Sequence, residues 1–130
     1  MAMTDRSFIV VIDEDRSVRK ALERLLQAAC MDVEAYSSSD KFLLAADRRP
    51  PDCLILNLPF EGITEVELSG QLRKMGGSFP VVFTTTANGV EIAHRATGGV
   101  EDVLHKPFSD KTLLDAIRRA IQNGKTQPDP

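Results

Sequence analysis

The chain has 130 residues, of which 42% are hydrophobic and 27% charged, and its formal net charge at pH 7 is −3. That length suits one domain with a single core, and the composition is ordinary for a soluble globular protein. The small negative charge gives no reason to expect direct binding to nucleic acid, and no segment resembles a signal peptide or a membrane span. Cys30 and Cys53 lie in apolar contexts without CxxC spacing, and are predicted to be buried, reduced thiols of a cytoplasmic protein.

The first half of the chain alternates apolar strands with amphipathic helices. Phe8–Ile12 is nearly all aliphatic, which is typical of a strand covered on both faces. A helix follows at once, and Asp15 or Ser17 is suited to cap its amino end. An edge strand at Val33–Tyr36 and a short helix after Ser37–Ser39 come next. The apolar stripes of the two helices consist of Val18, Leu22, Leu25, Leu26 and Ala29 in the first, and Phe42, Leu43 and Ala46 in the second.

The second half continues the same alternation. Arg49-Pro50-Pro51-Asp52 breaks the second helix and introduces a strand at Cys53–Asn57. The remaining predicted elements are helices at Thr64–Met75 and Val90–Thr97, strands at Val81–Thr85 and Asp102–His105, and a last helix that starts at a Ser109 cap and carries Leu113, Leu114, Ile117, Ala120 and Ile121. Residues 1–123 are therefore predicted to form one (βα)₅ domain of the α/β class, a three-layer sandwich, and residues 124–130 a flexible tail or linker.

Polar side chains stand where the predicted strands end, which is where open parallel α/β sheets bind ligands. Asp13-Glu14-Asp15 follows the first strand, Asn57 ends the third, Thr84–Thr86 ends the fourth, and Lys106 follows the fifth. Acids, hydroxyls and a lysine suit a divalent cation and a phosphoryl group, but an amide at position 57 does not form an acyl phosphate under normal conditions. Helix capping by the acids and strand formation by the threonines are the simpler interpretations.

Several segments in this order resemble the CheY-like receiver domain of two-component response regulators over about residues 7–122, and most closely the receivers that precede a helix-turn-helix output domain. The segments are Val-Ile-Asp-Glu-Asp-Arg-Ser-Val-Arg (11–19), Pro-Pro-Asp-Cys-Leu-Ile-Leu-Asn-Leu (50–58), Pro-Val-Val-Phe-Thr-Thr (80–85) and Lys-Pro-Phe (106–108). The resemblance implies a flavodoxin-like fold with strand order 2-1-3-4-5. It also implies a role in phosphorelay signalling rather than an enzymatic activity.

The resemblance gives a role to each strand-end residue. Asp13 and Glu14 match the acidic pair for Mg²⁺, with Glu14 binding directly, Asp13 through water, and the backbone carbonyl of Pro59 as a further oxygen ligand. Asn57 occupies the position of the phospho-accepting aspartate. Two further matches are Thr85, as the hydroxyl that contacts the phosphoryl group, and Lys106, as the lysine that pairs with its charge and precedes a cis proline.

The chain departs from the family pattern in the switching pathway. Asn57 removes the nucleophile, since a neutral amide attacks phosphorus far more poorly than a carboxylate does. In the loop that follows, Glu61 stands where the family has proline, and Val103 replaces the aromatic side chain that toggles on activation. The chain is therefore expected to be a degenerate receiver that binds Mg²⁺ weakly or not at all.

The position of the phosphoryl-contacting hydroxyl is ambiguous in the sequence. Counting back from Lys106 gives Thr84, whereas counting forward from Pro80 gives Thr85. Thr85 is the preferred prediction, because a strand register shifts less readily than a loop shortens.

The favoured function is that of a signalling module that works through protein contacts instead of phosphotransfer. In the family, the fourth helix, fifth strand and fifth helix form the usual surface for partners and dimers. A sensor kinase, another signalling protein or a second copy of the chain is the expected partner. The candidate interface residues are His94, Arg95, Glu101, Asp102, Arg118 and Arg119.

Other interpretations stay open at this point. Asp13, Glu14 or Asp15 would take the phosphoryl group in a receiver with a relocated acceptor. The Asp-x-Asp pattern also occurs in haloacid-dehalogenase-like phosphatases, although the flap and the second acidic pair of that fold are absent from this sequence. The basic residues of the first helix, Arg16, Arg19, Lys20 and Arg24, form either a solvated face or a docking surface.

Overall fold

The computed structural model describes residues 6–45, 50–58, 64–76, 79–98 and 102–126. Within these ranges, five strands alternate with five helices. The elements are β1 Phe8–Ile12, α1 Arg16–Ala28, β2 Asp32–Tyr36, α2 Ser39–Leu44, β3 Cys53–Asn57, α3 Glu65–Lys74, β4 Val81–Thr85, α4 Ala87–Thr97, β5 Asp102–His105 and α5 Asp110–Thr126. The predicted roles of Ala46, Pro59, Glu61 and Glu101 concern residues outside the described ranges.

All five strands are parallel and form one sheet in the order β2-β1-β3-β4-β5, which confirms the predicted α/β fold. Two register pairs matter for the site. Asn57 of β3 lies opposite Thr84 of β4, and Thr85 lies opposite His105 of β5. Because the strands are parallel, their carboxyl ends gather at one edge of the sheet.

The sheet separates two apolar clusters, as its strand sequences require. Side chains of successive strand residues point to opposite faces, so aliphatic runs such as Phe8–Ile12 supply both clusters. One face packs against α1 and α5, through residues such as Leu26 and Ile117. The other face packs against α2, α3 and α4, through residues such as Leu68 and Ala93. The molecule is therefore a three-layer sandwich.

Helix caps agree with the sequence prediction where the described residues cover them. The carboxylate of Asp15, rather than the hydroxyl of Ser17, caps α1 and accepts hydrogen bonds from the backbone N–H groups of Ser17 at 2.8 Å and Val18 at 3.3 Å. The hydroxyl of Ser109 accepts from the backbone of Thr112 at 3.0 Å at the start of α5. These side chains satisfy N–H groups that have no partner within the helix.

Three predictions differ from the structure. Helix α4 begins at Ala87, three residues before the predicted Val90, so the Asn88-Gly89 pair is helical rather than a loop. Helix α5 continues to Thr126, so the predicted tail from residue 124 begins too early. Cys30 is exposed, because it follows the end of α1 in a left-handed conformation with φ 65° and lies beyond the helix's apolar stripe. Cys53 is buried, as predicted.

The end of α5 lies against the opposite edge of the sheet from the strand-end acids. A Cβ atom on Gly124 would lie 3.1 Å from Cγ of Pro80, the residue that precedes β4. The last turns of α5 thus run alongside the amino end of β4. Among the helices of the described ranges, none combines the length and apolar character that a bilayer-spanning segment needs.

Candidate functional site

The strand ends bring four polar residues to one edge and one side of the sheet. Ile55 and Val82 belong to the cluster against α1 and α5, and so does Leu104. Because strand side chains alternate between the two faces, a residue two positions further along lies on the same side of the sheet. These residues are Asn57 after Ile55, Thr84 after Val82, and Lys106 after Leu104. Asp13, two residues after Val11, follows the same rule. The sequence predicted that Asp13, Asn57 and Lys106 lie at this edge; Asp13 and Asn57 line one cleft, and Lys106 lies 3.9 Å from Asp13.

Asn57 is held by the neighbouring strand. The hydroxyl of Thr84 donates to Oδ1 of Asn57 at 3.0 Å, directly across the β3–β4 register pair. Asn57 is half-buried and Thr84 is only 2% exposed. Thr84 is therefore the hydroxyl in contact with position 57, although the sequence prediction preferred Thr85. The alternation of strand side chains was the signal that identifies it.

Asp13 and Lys106 form the charged part of the site. Asp13 is 3% exposed, and its Oδ2 lies 3.9 Å from Nζ of Lys106. Its Oδ1 accepts a hydrogen bond from the backbone N–H of Asp15 at 2.9 Å. A carboxylate as buried as this needs such compensation, because removal from water disfavours its charge. The peptide bond between Lys106 and Pro107 is cis, as the resemblance implied.

A guanidinium group from α1 holds the turn that carries the acids. Nη1 of Arg19 donates to the backbone carbonyls of Asp13 at 2.8 Å and Glu14 at 3.0 Å. Arg19 thereby fixes the direction of the chain between β1 and α1, while Arg16, Lys20 and Arg24 are exposed. The basic stretch is thus divided between one positioning residue, which sequence reasoning had not separated from the others, and three exposed side chains.

Thr85 faces the other side of the sheet. It is 1% exposed, and its Oγ1 has no hydrogen-bond partner among the described residues. A Cβ atom on Gly89, in the first turn of α4, would lie 1.9 Å from that oxygen. Val103, paired with Phe83 in the register, packs on the same side. The two predicted switch positions, Thr85 and Val103, therefore share the α4 side of the sheet rather than the side of Asn57.

An open cleft of about 300 Å³ lies beside the acids. Asp13, Glu14 and Asn57 form one wall, and Lys74 of α3 forms part of another. A larger open hollow of about 680 Å³ lies at the amino end of β1, near Phe8 and Asp32. We place the candidate site at the cleft, because the strand-end acids line it and because parallel sheets bind ligands at this edge.

The residues at this edge fit Mg²⁺ only in part. Asp13, Glu14 and Asn57 offer the oxygen donors that Mg²⁺ prefers. However, Asn57 is neutral and its Oδ1 already accepts a hydrogen bond, while Asp13 is in contact with Lys106. Within the described ranges, no group of three or more His, Cys, Asp or Glu side chains is arranged to hold a metal ion. The oxygen donors at this edge are thus two carboxylates and one amide, and one of the carboxylates faces a lysine.

Most of the predicted interface residues are exposed or partly exposed. On α4, His94 is exposed and Arg95 forms an ion pair with Glu91 at 2.9 Å. Arg119 of α5 reaches Asp102 of β5 at 3.4 Å. Arg118 is exposed beside it. These side chains belong to consecutive elements of the sandwich, and the ion pair between Asp102 and Arg119 joins β5 to α5.

Comparison with known proteins identifies a family. Residues 9–118 match the family model described as the response regulator receiver domain. The response regulator protein TodT of Pseudomonas putida is 33% identical over 122 residues, which cover 92% of this chain and 54% of that protein. The nodulation protein W of Bradyrhizobium diazoefficiens is 27% identical, over 92% of this chain and 53% of that protein. The chain thus spans about half the length of these curated relatives.

Solved structures agree with this assignment. Full-length FixJ from B. japonicum superposes with a TM-score of 0.79 at 28% identity, over 95% of this chain and 61% of that one. The response regulator StyR superposes with a TM-score of 0.73 at 32% identity, over 93% of this chain and 62% of that one. Both similarities extend over nearly the whole of the chain.

Proposed function

Because this chain belongs to the response regulator receiver domain family of two-component signalling, we propose that it is a receiver that signals without phosphorylation of residue 57. In this proposal it acts in the cytoplasm through protein contacts and has no enzymatic activity of its own. The chain spans about half the length of its curated relatives, so the activities of those whole proteins are not included in the proposal.

The observation that carries the proposal is the state of Asn57. Its side chain occupies the acceptor position at the end of β3, and its Oδ1 accepts a hydrogen bond from Thr84 at 3.0 Å. An amide is a poor nucleophile toward phosphorus, and this one is also fixed by a buried partner. The neighbouring acids are engaged as well, since Asp13 pairs with Lys106 and Asp15 caps α1. These contacts argue against a relocated acceptor at either acid.

Mg²⁺ is proposed to bind weakly. Glu14 would hold it directly and Asp13 through water, with Pro59 supplying a backbone carbonyl. When bound, the cation neutralises negative charge at this edge of the sheet. Lys106 already supplies one positive charge next to Asp13 in its absence. The stability of the domain should therefore depend less on the metal than it would with an aspartate at position 57.

The proposed contact surface comprises α4, β5 and α5. It presents cations from both helices, such as Arg95 and Arg118, beside the Asp102–Arg119 ion pair. A sensor kinase, another signalling protein or a second copy of this chain is its proposed partner. Nucleic acid is not proposed as a direct ligand, because the net charge of −3 does not favour it.

The test is the intact mass of the wild-type domain after incubation with acetyl phosphate and Mg²⁺. We expect no added phosphoryl group in the wild type, and one in Asn57→Asp, where the nucleophile is restored. Asn57→Ala is the matched control, because it also breaks the contact with Thr84 but adds no carboxylate. A phosphoryl group on the wild-type protein would contradict the proposal, and peptide mapping would then locate the acceptor.

A further inference from the structure

The first turn of α4 rests directly on the end of β4. A Cβ atom on Gly89 would lie 1.9 Å from Oγ1, 2.9 Å from Cβ and 3.3 Å from Cγ2 of Thr85. The distances of 1.9 Å and 2.9 Å are too short for a Cβ atom, so only glycine fits at position 89. The backbone N–H of Gly89 bonds to the carbonyl of Thr86 at 3.0 Å, so this glycine is part of the helical turn. The close approach therefore depends on a glycine at this position.

The side chain beneath this turn is confined. Thr85 is 1% exposed, and its Oγ1 has no hydrogen-bond partner among the described residues. A buried hydroxyl without a partner is unfavourable, and the alternation of strand side chains holds this one on the α4 side of the sheet. The opposite orientation, toward Asn57, is taken by Thr84 of the same strand. Thr85 thus belongs to the packing of α4 and not to the wall of the cleft.

We infer that the contact between Gly89 and Thr85 pins the first turn of α4 to β4. Helix α4 then has one position whatever residue occupies position 57. The inference rests on the proposed function and deepens it. It names the contact that keeps the α4 part of the proposed surface, including His94 and Arg95, in one arrangement.

The experiment is amide hydrogen exchange of residues 87–93 in the whole domain. In Gly89→Ala, the added methyl group cannot coexist with Thr85, so we expect exchange in α4 to accelerate by roughly tenfold or more. Gly70→Ala in α3 is the matched control. Its Cβ would meet only Nη2 of Arg73 at 3.9 Å, and exchange in α4 should stay at the wild-type rate.

A double variant tests the contact itself. Thr85→Ala/Gly89→Ala removes the 1.9 Å and 3.3 Å contacts but keeps the one at 2.9 Å, so it should recover part of the lost protection. If Gly89→Ala exchanged at the wild-type rate, or if the double variant recovered nothing, the inference would be overturned. Should Gly89→Ala fail to fold, Thr85→Ala decides the question. It removes the supporting side chain and should accelerate exchange in α4 while leaving β1 protected, and an unchanged α4 would overturn the inference.

The independence of α4 from the cleft is tested with Asn57→Asp and Asn57→Ala. Both variants change the contact with Thr84, and we expect less than about twofold change in the exchange of residues 87–93. A change of roughly tenfold in either variant would overturn the inference. This readout is separate from phosphorylation. Labelling of the wild-type domain would refute the proposed function, whereas altered exchange in α4 would refute only the pinning.

Discussion

Thr84 and Thr85 are adjacent at the end of β4 and almost equally buried, at 2% and 1% exposed, but their surroundings differ. The hydroxyl of Thr84 donates to Asn57, whereas that of Thr85 has no partner among the described residues. The difference follows from strand geometry, because consecutive side chains point to opposite faces of the sheet. The two hydroxyls therefore affect the stability of the fold in opposite directions.

Replacement of each threonine by valine separates these effects. Thr84→Val removes the donor to Asn57 and should lower the free energy of unfolding by about 1 kcal/mol. Thr85→Val replaces an unpaired buried hydroxyl by a methyl group and should raise it by up to about 1 kcal/mol. Urea unfolding of the two variants measures both changes. Changes in the free energy of unfolding that have the same sign and size in both variants would contradict the different surroundings of the two hydroxyls.

Asn57 also limits the negative charge at the cleft. In Asn57→Asp, a carboxylate joins Asp13 and Glu14, and like charges at close range disfavour one another. We expect a loss of stability on the order of 1 kcal/mol in EDTA, recovered when Mg²⁺ is added at millimolar concentration. The melting temperature of the wild type should change little with Mg²⁺, and that of Asn57→Ala likewise. A wild-type domain stabilised by Mg²⁺ as strongly as Asn57→Asp would show that the amide does not weaken the metal site.

At the scale of the elements, α3 has a capping arrangement that responds to pH. Thr64 accepts from the backbone of Glu67 at 3.1 Å, and the carboxylate of Glu67 accepts from the backbone of Thr64 at 2.9 Å. The hydrogen bond from the Thr64 backbone, followed by that from its side chain, lowers the pKa of Glu67 below 4.5. A depressed pKa means that this contribution is present above pH 4.5 and is lost as pH falls through the lower, folded-state value.

The first turn of α3 should therefore fray in acid. We expect the amides of residues 65–68 to lose protection from exchange, relative to the rest of α3, as pH is lowered from about 6 to about 3. Glu67→Gln keeps an acceptor for the Thr64 backbone but does not titrate, so its first turn should lose less protection over that range, with Glu65 as the remaining carboxylate there. The same acid response in Glu67→Gln would assign the fraying to another group.

The elements show how far a sequence can predict a fold of this kind. Strand positions followed from aliphatic runs bounded by proline or polar residues, and Asp15 and Ser109 were recognisable caps. The predicted start of α4 at Val90 was three residues too late. In the structure Gly89 is helical and lies too close to Thr85 for a Cβ atom to fit, a tertiary contact that local propensity does not contain.

At the scale of the whole molecule, one sheet contributes side chains to two apolar clusters. Leu113 of α5 and Leu68 of α3 are both 0% exposed, but they lie on opposite faces. Each Leu→Ala substitution should cost about 2–5 kcal/mol, through lost burial and the cavity left behind. Because β1, β3 and β4 contribute to both clusters, the two variants should each unfold in a single transition. Separate transitions for the two faces, by fluorescence and circular dichroism, would contradict this coupling.

The site was predictable to the extent that it depends on topology. Strand ends in a parallel sheet meet at one edge, so Asp13, Asn57 and Lys106 could be grouped before any distance was known. Counting residues from two motifs gave two answers, Thr84 from Lys106 and Thr85 from Pro80, so counting alone could not choose between them. The orientation of each side chain relative to the sheet decided it.

The packing of Gly124 against Pro80 has a practical consequence. Helix α5 finishes beside the amino end of β4, and a strand of five residues separates that point from the cleft by about 17 Å. A fluorophore or affinity handle fused after Thr126 would be attached at the end of the domain opposite the cleft, and the acids would stay accessible. A handle at the turn between β1 and α1 would instead cover them, so immobilisation through the two positions should give opposite results in a metal titration.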